Sequence, residues 1–188
     1  EKAGAFYLRA LEIQEKRLGP TNFVTAQTLN NLALLYFEYG NYKKAEPLFL
    51  RAVPIFEQHY GAEDAQVAAL VNNLGALYSA TSRRTNAVAA YERSLAIREK
   101  KLAPGHPETM QSMNNLGSTY RALHEFSKAE RLLTQALELS SKHLGGTNEQ
   151  TAAALFNLGG LYRDYGAYQA AAGYLARAVE TAAKAYPP

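Results

Sequence analysis

One asparagine recurs along the chain at a fixed spacing, which suggests a shared chemical role. We name its four copies, 42 residues apart, the front asparagines: Asn31, Asn73, Asn115 and Asn157. A primary amide has one acceptor oxygen and two donor hydrogens, so it can pair with a peptide bond in either direction. A row of such amides would hydrogen-bond to the main chain of a partner, whatever its side chains. The spacing therefore predicts a peptide-binding surface.

Three further asparagines directly precede front asparagines, and we name them the seam asparagines: Asn30, Asn72 and Asn114. Adjacent residues of a helix are turned by about 100° from each other, so these amides should face the junction with the next repeat. For both sets, peptide contact and structural bridging between helices stay open. We include Asn72 and Asn114 among the predicted peptide contacts, together with Ser118, which shares the stripe of Asn115.

Two arginines, Arg121 and Arg163, also lie 42 residues apart. A guanidinium group can bind a carboxylate through two parallel hydrogen bonds, so these arginines could hold an acidic side chain of a bound peptide. Glu38 and Asp164 lie on the same flank of the surface with the opposite charge. The alternative, that both arginines are only solvated, stays open.

The other chemistry-bearing residues lack the companions that catalysis or metal binding requires. The histidines fall at expected helix ends or turns, without a second ligand at zinc-like spacing: His59, His106, His124 and His143. The chain has no cysteine, and Gly145-Gly146-Thr147 lacks the lysine of a phosphate-binding loop. We therefore expect no enzyme activity, no metal site and no cofactor.

Helices must position these residues, because apolar side chains recur at steps of three and four, as at Leu29, Leu32 and Ala33. The 42-residue step also links four tyrosines on that stripe: Tyr36, Tyr78, Tyr120 and Tyr162. The pattern predicts a helix at 2–18, first helices of the repeats at 22–39, 64–80, 106–122 and 148–164, and second helices at 42–60, 85–102, 126–144 and 168–186.

Caps and glycines mark the ends of these helices. Asp64 and Asn148 are expected N-caps, and Pro107 suits a first helical position. Glycine ends a helix at little cost in the left-handed conformation, as expected at Gly40. Residues 81–85 lack both this glycine and the aromatic side chain that follows it in the first repeat. That turn should be the least well ordered.

One helix pair cannot bury its own apolar face, so neighbouring pairs must stack. This predicts a single repeat domain over 1–188, with the second helix of a truncated repeat at 1–20 and repeats at 21–62, 63–104, 105–146 and 147–188. The first helices are uncharged over long stretches, such as 65–82, whereas the second helices hold most of the charge. Solvated faces normally carry charged residues, so the uncharged faces are predicted binding surfaces.

The motifs Asn31-Leu32-Ala33 and Gly40-Asn41-Tyr42 resemble the tetratricopeptide repeat pattern. The 42-residue length and Gly105-His106-Pro107 resemble its kinesin light chain branch, over nearly the whole chain. The resemblance implies an all-α fold, a right-handed solenoid of stacked antiparallel helix hairpins with the first helices on its concave side. It also implies that the front asparagines bind peptide, as in cargo recognition.

Composition limits the partner. The 20 basic and 17 acidic residues interleave to a net charge of +3, without the dense positive patch that nucleic acid requires. No apolar run is long enough to span a membrane, and the lack of cysteine fits a reducing compartment. We expect a cytoplasmic protein that binds a protein or peptide, with no nucleic-acid or membrane partner.

The predicted function is a non-catalytic scaffold or adaptor that binds an extended peptide segment of another protein. Two alternatives stay open. The chain could be a structural array that associates with copies of itself or with a fixed complex, or it could be a regulatory module of a larger enzyme.

Overall fold

The computed structural model describes residues 2–185, and nine α-helices occupy that part of the chain. They are α1 (Lys2–Leu18), α2 (Phe23–Glu38), α3 (Tyr42–Tyr60), α4 (Ala65–Ala80), α5 (Arg84–Lys101), α6 (Pro107–Ala122), α7 (Phe126–His143), α8 (Glu149–Asp164) and α9 (Tyr168–Ala185). Each predicted helix is present, with ends within one residue of the prediction. The predicted last helical residue, Tyr186, lies outside the described residues. The all-α repeat fold is confirmed.

The helices form two compact units, which divide between Ile97 and Arg98 inside α5. In the first compact unit, α1 packs on α2, α2 on α3 and α3 on α4, and α2 also contacts α4. In the second, α6 packs on α7, α7 on α8 and α8 on α9, and α6 also contacts α8. Within each unit, these contacts join helices that are adjacent or next but one along the chain, as stacked hairpins require. The single domain and its repeat boundaries stay a prediction.

The apolar steps of three and four place one stripe of each helix in the core. In the first compact unit, Leu29 and Leu32 of α2 and Phe49 of α3 are fully buried. In the second, Leu133 of α7 and Leu158 of α8 are buried in the same way. Burial of a side chain of this size contributes about 1.5–3 kcal/mol, so these stripes hold the hairpins together.

Glycines allow the two helices of three hairpins to approach closely. Gly75, Gly117 and Gly159 are again 42 residues apart. A Cβ atom added at Gly75 would lie 2.8 Å from the ring of Tyr91, and one at Gly117 would lie 2.7 Å from Leu133. Neither position has room for a methyl group unless its neighbour shifts. The missing side chain therefore fixes how closely each second helix packs on its first helix.

The turn between the first and second helix of each repeat contains one residue in the left-handed conformation. These residues are Gly40, Ser82, His124 and Gly166, with φ of 71°, 59°, 60° and 80°. At 81–85, where the sequence predicted poor order, Ser82 adopts the conformation that glycine has in the first repeat. Arg83 donates to both carboxylate oxygens of Glu46, at 2.6 and 2.9 Å. An ion pair therefore supports this turn where the aromatic side chain is missing.

The charged residues of the second helices pair with one another in the first compact unit. Arg51 of α3 contacts Glu15 of α1 at 2.5 Å, and Arg93 of α5 contacts Glu57 of α3 at 2.5 Å. The second pair lies 42 residues after the first, so it is the same contact repeated. Such half-exposed pairs contribute about 0–1 kcal/mol each. These pairs show that charged side chains of neighbouring second helices contact one another in the first compact unit.

One charged side chain in the second compact unit is buried. Arg98, at the end of α5, is only 2% exposed. Its guanidinium donates to the backbone oxygen of Glu108 at 2.7 Å and to Oγ of Ser112 at 2.8 Å. Burial lowers the pKa of Arg98, and the Glu108 carboxylate opposes this effect. These bonds tie the end of α5 to the first turns of α6.

Candidate functional site

The front asparagines lie on the sides of α2, α4, α6 and α8 that do not face the core. On α2, the 3.6-residue period buries Leu29 and Leu32 and leaves Asn31 exposed. The front asparagines of the other three helices are half-buried, and so is Ser118 on α6. The structure thus leaves these amides within reach of a partner. Whether they bind peptide stays a prediction.

Two of the seam asparagines are buried. Asn72 is 5% exposed and Asn114 is 4% exposed. Nδ2 of Asn114 on α6 donates to the backbone oxygen of Gln150 on α8 at 3.2 Å and lies 3.5 Å from its side-chain Oε1. Asn114 is therefore a structural bridge inside the second compact unit. Because Asn114 is buried, little of its side chain is accessible for the peptide contact that the sequence also allowed.

The third seam asparagine, Asn30, is half-buried beside a cavity in the first compact unit. The cavity has a volume of about 380 Å³ and lies between α2, the end of α3 and the start of α4. Gln27, Asn31 and Gln66 also line it, with Tyr60 and Phe56 from α3. Gln27 and Gln66 were not among the site residues predicted from the sequence. Gln27 lies four residues before Asn31 and therefore shares its helix face, whereas Gln66 has no signal beyond being an uncharged polar residue in an uncharged stretch.

The structure brings Arg121 and Arg163 together at one carboxylate. Nε of Arg121 lies 3.2 Å from Oδ2 of Asp164, and Nη2 of Arg163 lies 3.1 Å from its Oδ1. The Arg121 head group occupies the space above Gly160, where an added Cβ atom would collide with it. A carboxylate of the same chain therefore already lies where the sequence predicted an acidic side chain of a partner.

Basic groups lie over the rings of three of the four first-helix tyrosines, Tyr36, Tyr78 and Tyr120, a feature that the sequence did not reveal. Nζ of Lys44 lies 5.4 Å from the ring centre of Tyr36, and Nζ of Lys128 lies 5.0 Å from that of Tyr120. Both lysines follow their tyrosine by eight residues, which is the signal that could have revealed them. These are cation–π contacts, worth about 0.5–1 kcal/mol when exposed. These contacts give the three tyrosine rings a structural role.

The histidines have structural contacts. Nδ1 of His106 accepts a hydrogen bond from the backbone N–H of Glu108 at 3.3 Å, so it caps α6. The ring of His59 stacks on Phe23, with centroids 3.8 Å apart. Across residues 2–185 the structure has no group of three or more histidine, aspartate or glutamate side chains that could hold a metal ion. His106 therefore lies at a helix end, where the sequence placed it.

The tetratricopeptide repeat family model matches residues 1–58 and 66–142, which is more than half of the chain. The chain belongs to the tetratricopeptide repeat family. Proteins of this family generally mediate protein–protein interactions. The predicted family is thereby confirmed, while the peptide-binding residues are not tested by this match. No curated protein matches the sequence.

Solved structures place this tetratricopeptide protein near the kinesin light chain-like repeats. A Podosopora anserina protein described as a kinesin light chain, with nearly identical TPR-like repeats, has a TM-score of 0.85 and 25% identity over 97% of this chain and 86% of that chain. BtubC from P. vanneervenii has a TM-score of 0.79 and 24% identity over 100% and 75%. MamA has a TM-score of 0.66 and 20% identity over 92% and 85%. The last two show the fold alone.

No helix within the described tetratricopeptide repeats combines the length and the apolar character needed to cross a membrane.

Proposed function

We propose that this tetratricopeptide protein is a non-catalytic scaffold that binds an extended peptide segment of a partner protein through the front asparagines. The observation that carries the proposal is the contrast between neighbouring amides. Asn72 and Asn114 are buried, whereas Asn73 and Asn115, one position later, are half-buried on faces without charge. An accessible amide on an uncharged face can hydrogen-bond to a peptide main chain.

The distribution of charge supports the same surface. In the first compact unit, ion pairs join the second helices, as between Glu15 and Arg51. The first helices carry no charged residue over 23–37 and 65–82. An extended peptide has unpaired backbone N–H and C=O groups that need partners when they are buried. The front asparagines offer such partners, and the chain thus fits a protein or peptide ligand better than nucleic acid.

Peptides selected from a random display library against the intact protein provide the test. Two double variants remove the front asparagines of one compact unit each: Asn31→Ala with Asn73→Ala, and Asn115→Ala with Asn157→Ala. Each lost amide bond should cost about 0.5–1.5 kcal/mol, so at least one double variant should weaken binding about tenfold. The melting temperature should change little, because these amides lie outside the core.

Thermal unfolding of the same samples distinguishes peptide contact from structural bridging. If a double variant melts early and its loss of binding follows the loss of folded protein, the asparagines are structural. Unchanged affinity together with an unchanged melting temperature in both double variants would reject the peptide-binding surface.

Self-association is a second candidate, favoured by apolar side chains that are exposed. Phe6 on α1 is 74% exposed, and Val179 on α9 is 71% exposed. Exposed apolar groups can drive association when they form a continuous patch. Light scattering over a range of protein concentrations tests this. A constant monomer mass would favour the scaffold, whereas growing particles that shrink with Phe6→Ser would favour the assembly.

A further inference from the structure

The junction between successive first helices exists in both compact units, and the two copies differ. In the second, Asn114 on α6 bonds to Gln150 on α8. The equivalent residues in the first, two repeats or 84 positions earlier, are Asn30 on α2 and Gln66 on α4. Among the described residues, the Asn30 side chain has no hydrogen-bond partner. We name the pair Asn30 and Gln66 the open seam, and the pair Asn114 and Gln150 the closed seam.

The two seams differ in whether the side-chain nitrogen of the asparagine donates a hydrogen bond to the next first helix. The carbonyl oxygens of Asn30 and Asn114 are both buried without a partner. Asn114 donates its amide hydrogens across the closed seam, whereas Asn30 does not. Gln150 is half-buried, while Gln66 is exposed. The amide hydrogens of Asn30 are thus left for a ligand that carries an acceptor, and such a bond would contribute about 0.5–1.5 kcal/mol.

The open seam has a cavity of about 380 Å³. Ligand-binding pockets in proteins typically measure about 300–1,000 Å³, so the space exceeds what isolated water molecules need. The carboxamides of Gln27, Asn30 and Gln66 line it, with the rings of Phe23 and Tyr60. The front asparagine Asn31 is at its edge, so a peptide bound there would pass the cavity.

The side chains that line the cavity favour a ligand with a neutral polar group. No residue that lines the cavity is charged, so a buried carboxylate or ammonium group would have no counter-charge and would bind poorly. A carboxamide has both a donor and an acceptor, which is what several carboxamide neighbours require. Its apolar stem can lie against the ring of Phe23 or Tyr60.

We propose that the open seam is a subsite for the carboxamide side chain of a glutamine or asparagine in the bound peptide. The subsite rests on the proposed function, because its occupant belongs to a peptide held by Asn31. It gives the first compact unit a preference for one side-chain class, in addition to the main-chain recognition that the front asparagines provide.

Capped amino acids test the subsite without a selected peptide. The probes are N-acetyl-glutamine-N-methylamide and its glutamate and leucine counterparts, titrated into the intact ¹⁵N-labelled protein. The glutamine probe should shift the side-chain amide signals of Asn30 and Gln66 with a dissociation constant on the order of 1 mM, as expected for a ligand of this size. The glutamate and leucine probes should bind at least about tenfold more weakly.

The closed seam provides a matched control with the same chemical change. Asn30→Ala should weaken binding of the glutamine probe about tenfold without lowering the melting temperature, because no hydrogen bond is lost and a buried oxygen without a partner is removed. Asn114→Ala should leave probe binding unchanged and lower the melting temperature by about 2–4 °C, because it removes the bond to Gln150.

Three results would overturn the subsite: no shift with the glutamine probe, equal binding of the glutamine and glutamate probes, or an Asn30→Ala variant that melts as early as Asn114→Ala. The peptide selection described above separates this failure from failure of the proposed function. Peptides that bind through Asn31 while the probe leaves the open seam unchanged would reject the subsite alone. Probe binding without any peptide ligand would reject the scaffold function and, with it, the peptide as occupant.

Discussion

At the scale of single residues, two turn residues adopt the left-handed backbone conformation although they are not glycine, and this lowers the free energy of unfolding. Ser82 and His124 have φ of 59° and 60°, where Gly40 and Gly166 stand in the other repeats. The left-handed conformation costs a residue other than glycine about 1–2 kcal/mol. The turn geometry is thus maintained by the helices on either side rather than by residue preference.

We expect Ser82→Gly to raise the free energy of unfolding by about 0.5–1 kcal/mol, because the relieved strain exceeds the added flexibility of glycine in the unfolded chain. Gly40→Ala, at the equivalent position of the first repeat, should lower it by about 1–2 kcal/mol. Urea unfolding measures both. A Ser82→Gly variant that is less stable than the parent would mean that the serine side chain stabilises the turn.

Tyr162 gives the protein a pH-dependent contact. Its hydroxyl donates to Oε1 of Glu130 at 2.6 Å, and this bond, together with burial, raises the pKa of Tyr162 to about 12. An unfolded tyrosine titrates near about 10. The folded state therefore holds the phenol proton more tightly, and this contribution to stability is complete below about pH 10 and is lost as the pH rises through about 12.

The test is the difference in stability between the parent protein and Tyr162→Phe. The difference should be constant up to about pH 9 and shrink towards about pH 12. Urea unfolding at a series of pH values measures it, and the subtraction removes the titration of lysines and other tyrosines. A difference that stays constant across this range would show that the phenol is not bound to Glu130 in solution.

At the scale of elements, the glycines inside first helices decide how closely the hairpins pack. Gly117→Ala should gain about 1 kcal/mol of helix propensity but lose about 1–3 kcal/mol through overpacking against Leu133. We expect a net loss of stability. Gly173→Ala in α9 is the matched control, because this exposed glycine has open space around its Cβ position. It should gain about 1 kcal/mol in the same urea unfolding experiment.

The sequence predicted the helices well because two independent signals coincide there. The steps of three and four mark each apolar stripe, and caps such as Asp64 mark the starts. The side chain of Asp64 indeed accepts a hydrogen bond from the backbone N–H of Gln66 at 2.8 Å. The turn at 81–85 was harder to predict, because residue preference suggests disorder while the flanking helices impose the backbone conformation.

The candidate site was predictable only in part. The 42-residue step identified the front asparagines, whose accessibility follows from the helix period. It could not show that Asn114 bonds across its seam while Asn30 does not, since the two positions carry the same residue type. That difference accompanies the burial of the partner glutamine, which is half-buried at Gln150 and exposed at Gln66, and burial depends on the packing of many side chains together. The pairing of Arg121 with Asp164 likewise needs the space above Gly160.

At the scale of the whole molecule, stability is distributed unevenly along the chain. By the 42-residue step, Ala3, Tyr7 and Ala10 of α1 correspond to Ala45, Phe49 and Ala52 of α3. The α3 residues are 0% exposed, whereas those of α1 are exposed or half-buried. Helix α1 therefore buries less of its apolar stripe than α3 does.

We expect amide hydrogens in α1 to exchange with solvent faster than those in α3, because segments with fewer buried contacts open more often. Hydrogen exchange followed by mass spectrometry of the intact protein measures both helices at once. Equal protection in α1 and α3 would mean that another surface covers α1 in solution, and repeating the measurement at lower protein concentration would reveal whether that surface belongs to a second copy.

The contacts between neighbouring helices also bear on how fast the chain folds. Within each compact unit, α2 meets α3 and α4, and α6 meets α7 and α8, so these packing partners lie close together in sequence. Closing a short loop costs little entropy, and proteins dominated by local contacts fold in microseconds to milliseconds. Within each compact unit, folding can therefore keep pace with synthesis on the ribosome, because each newly made hairpin completes the core of the helices made just before it.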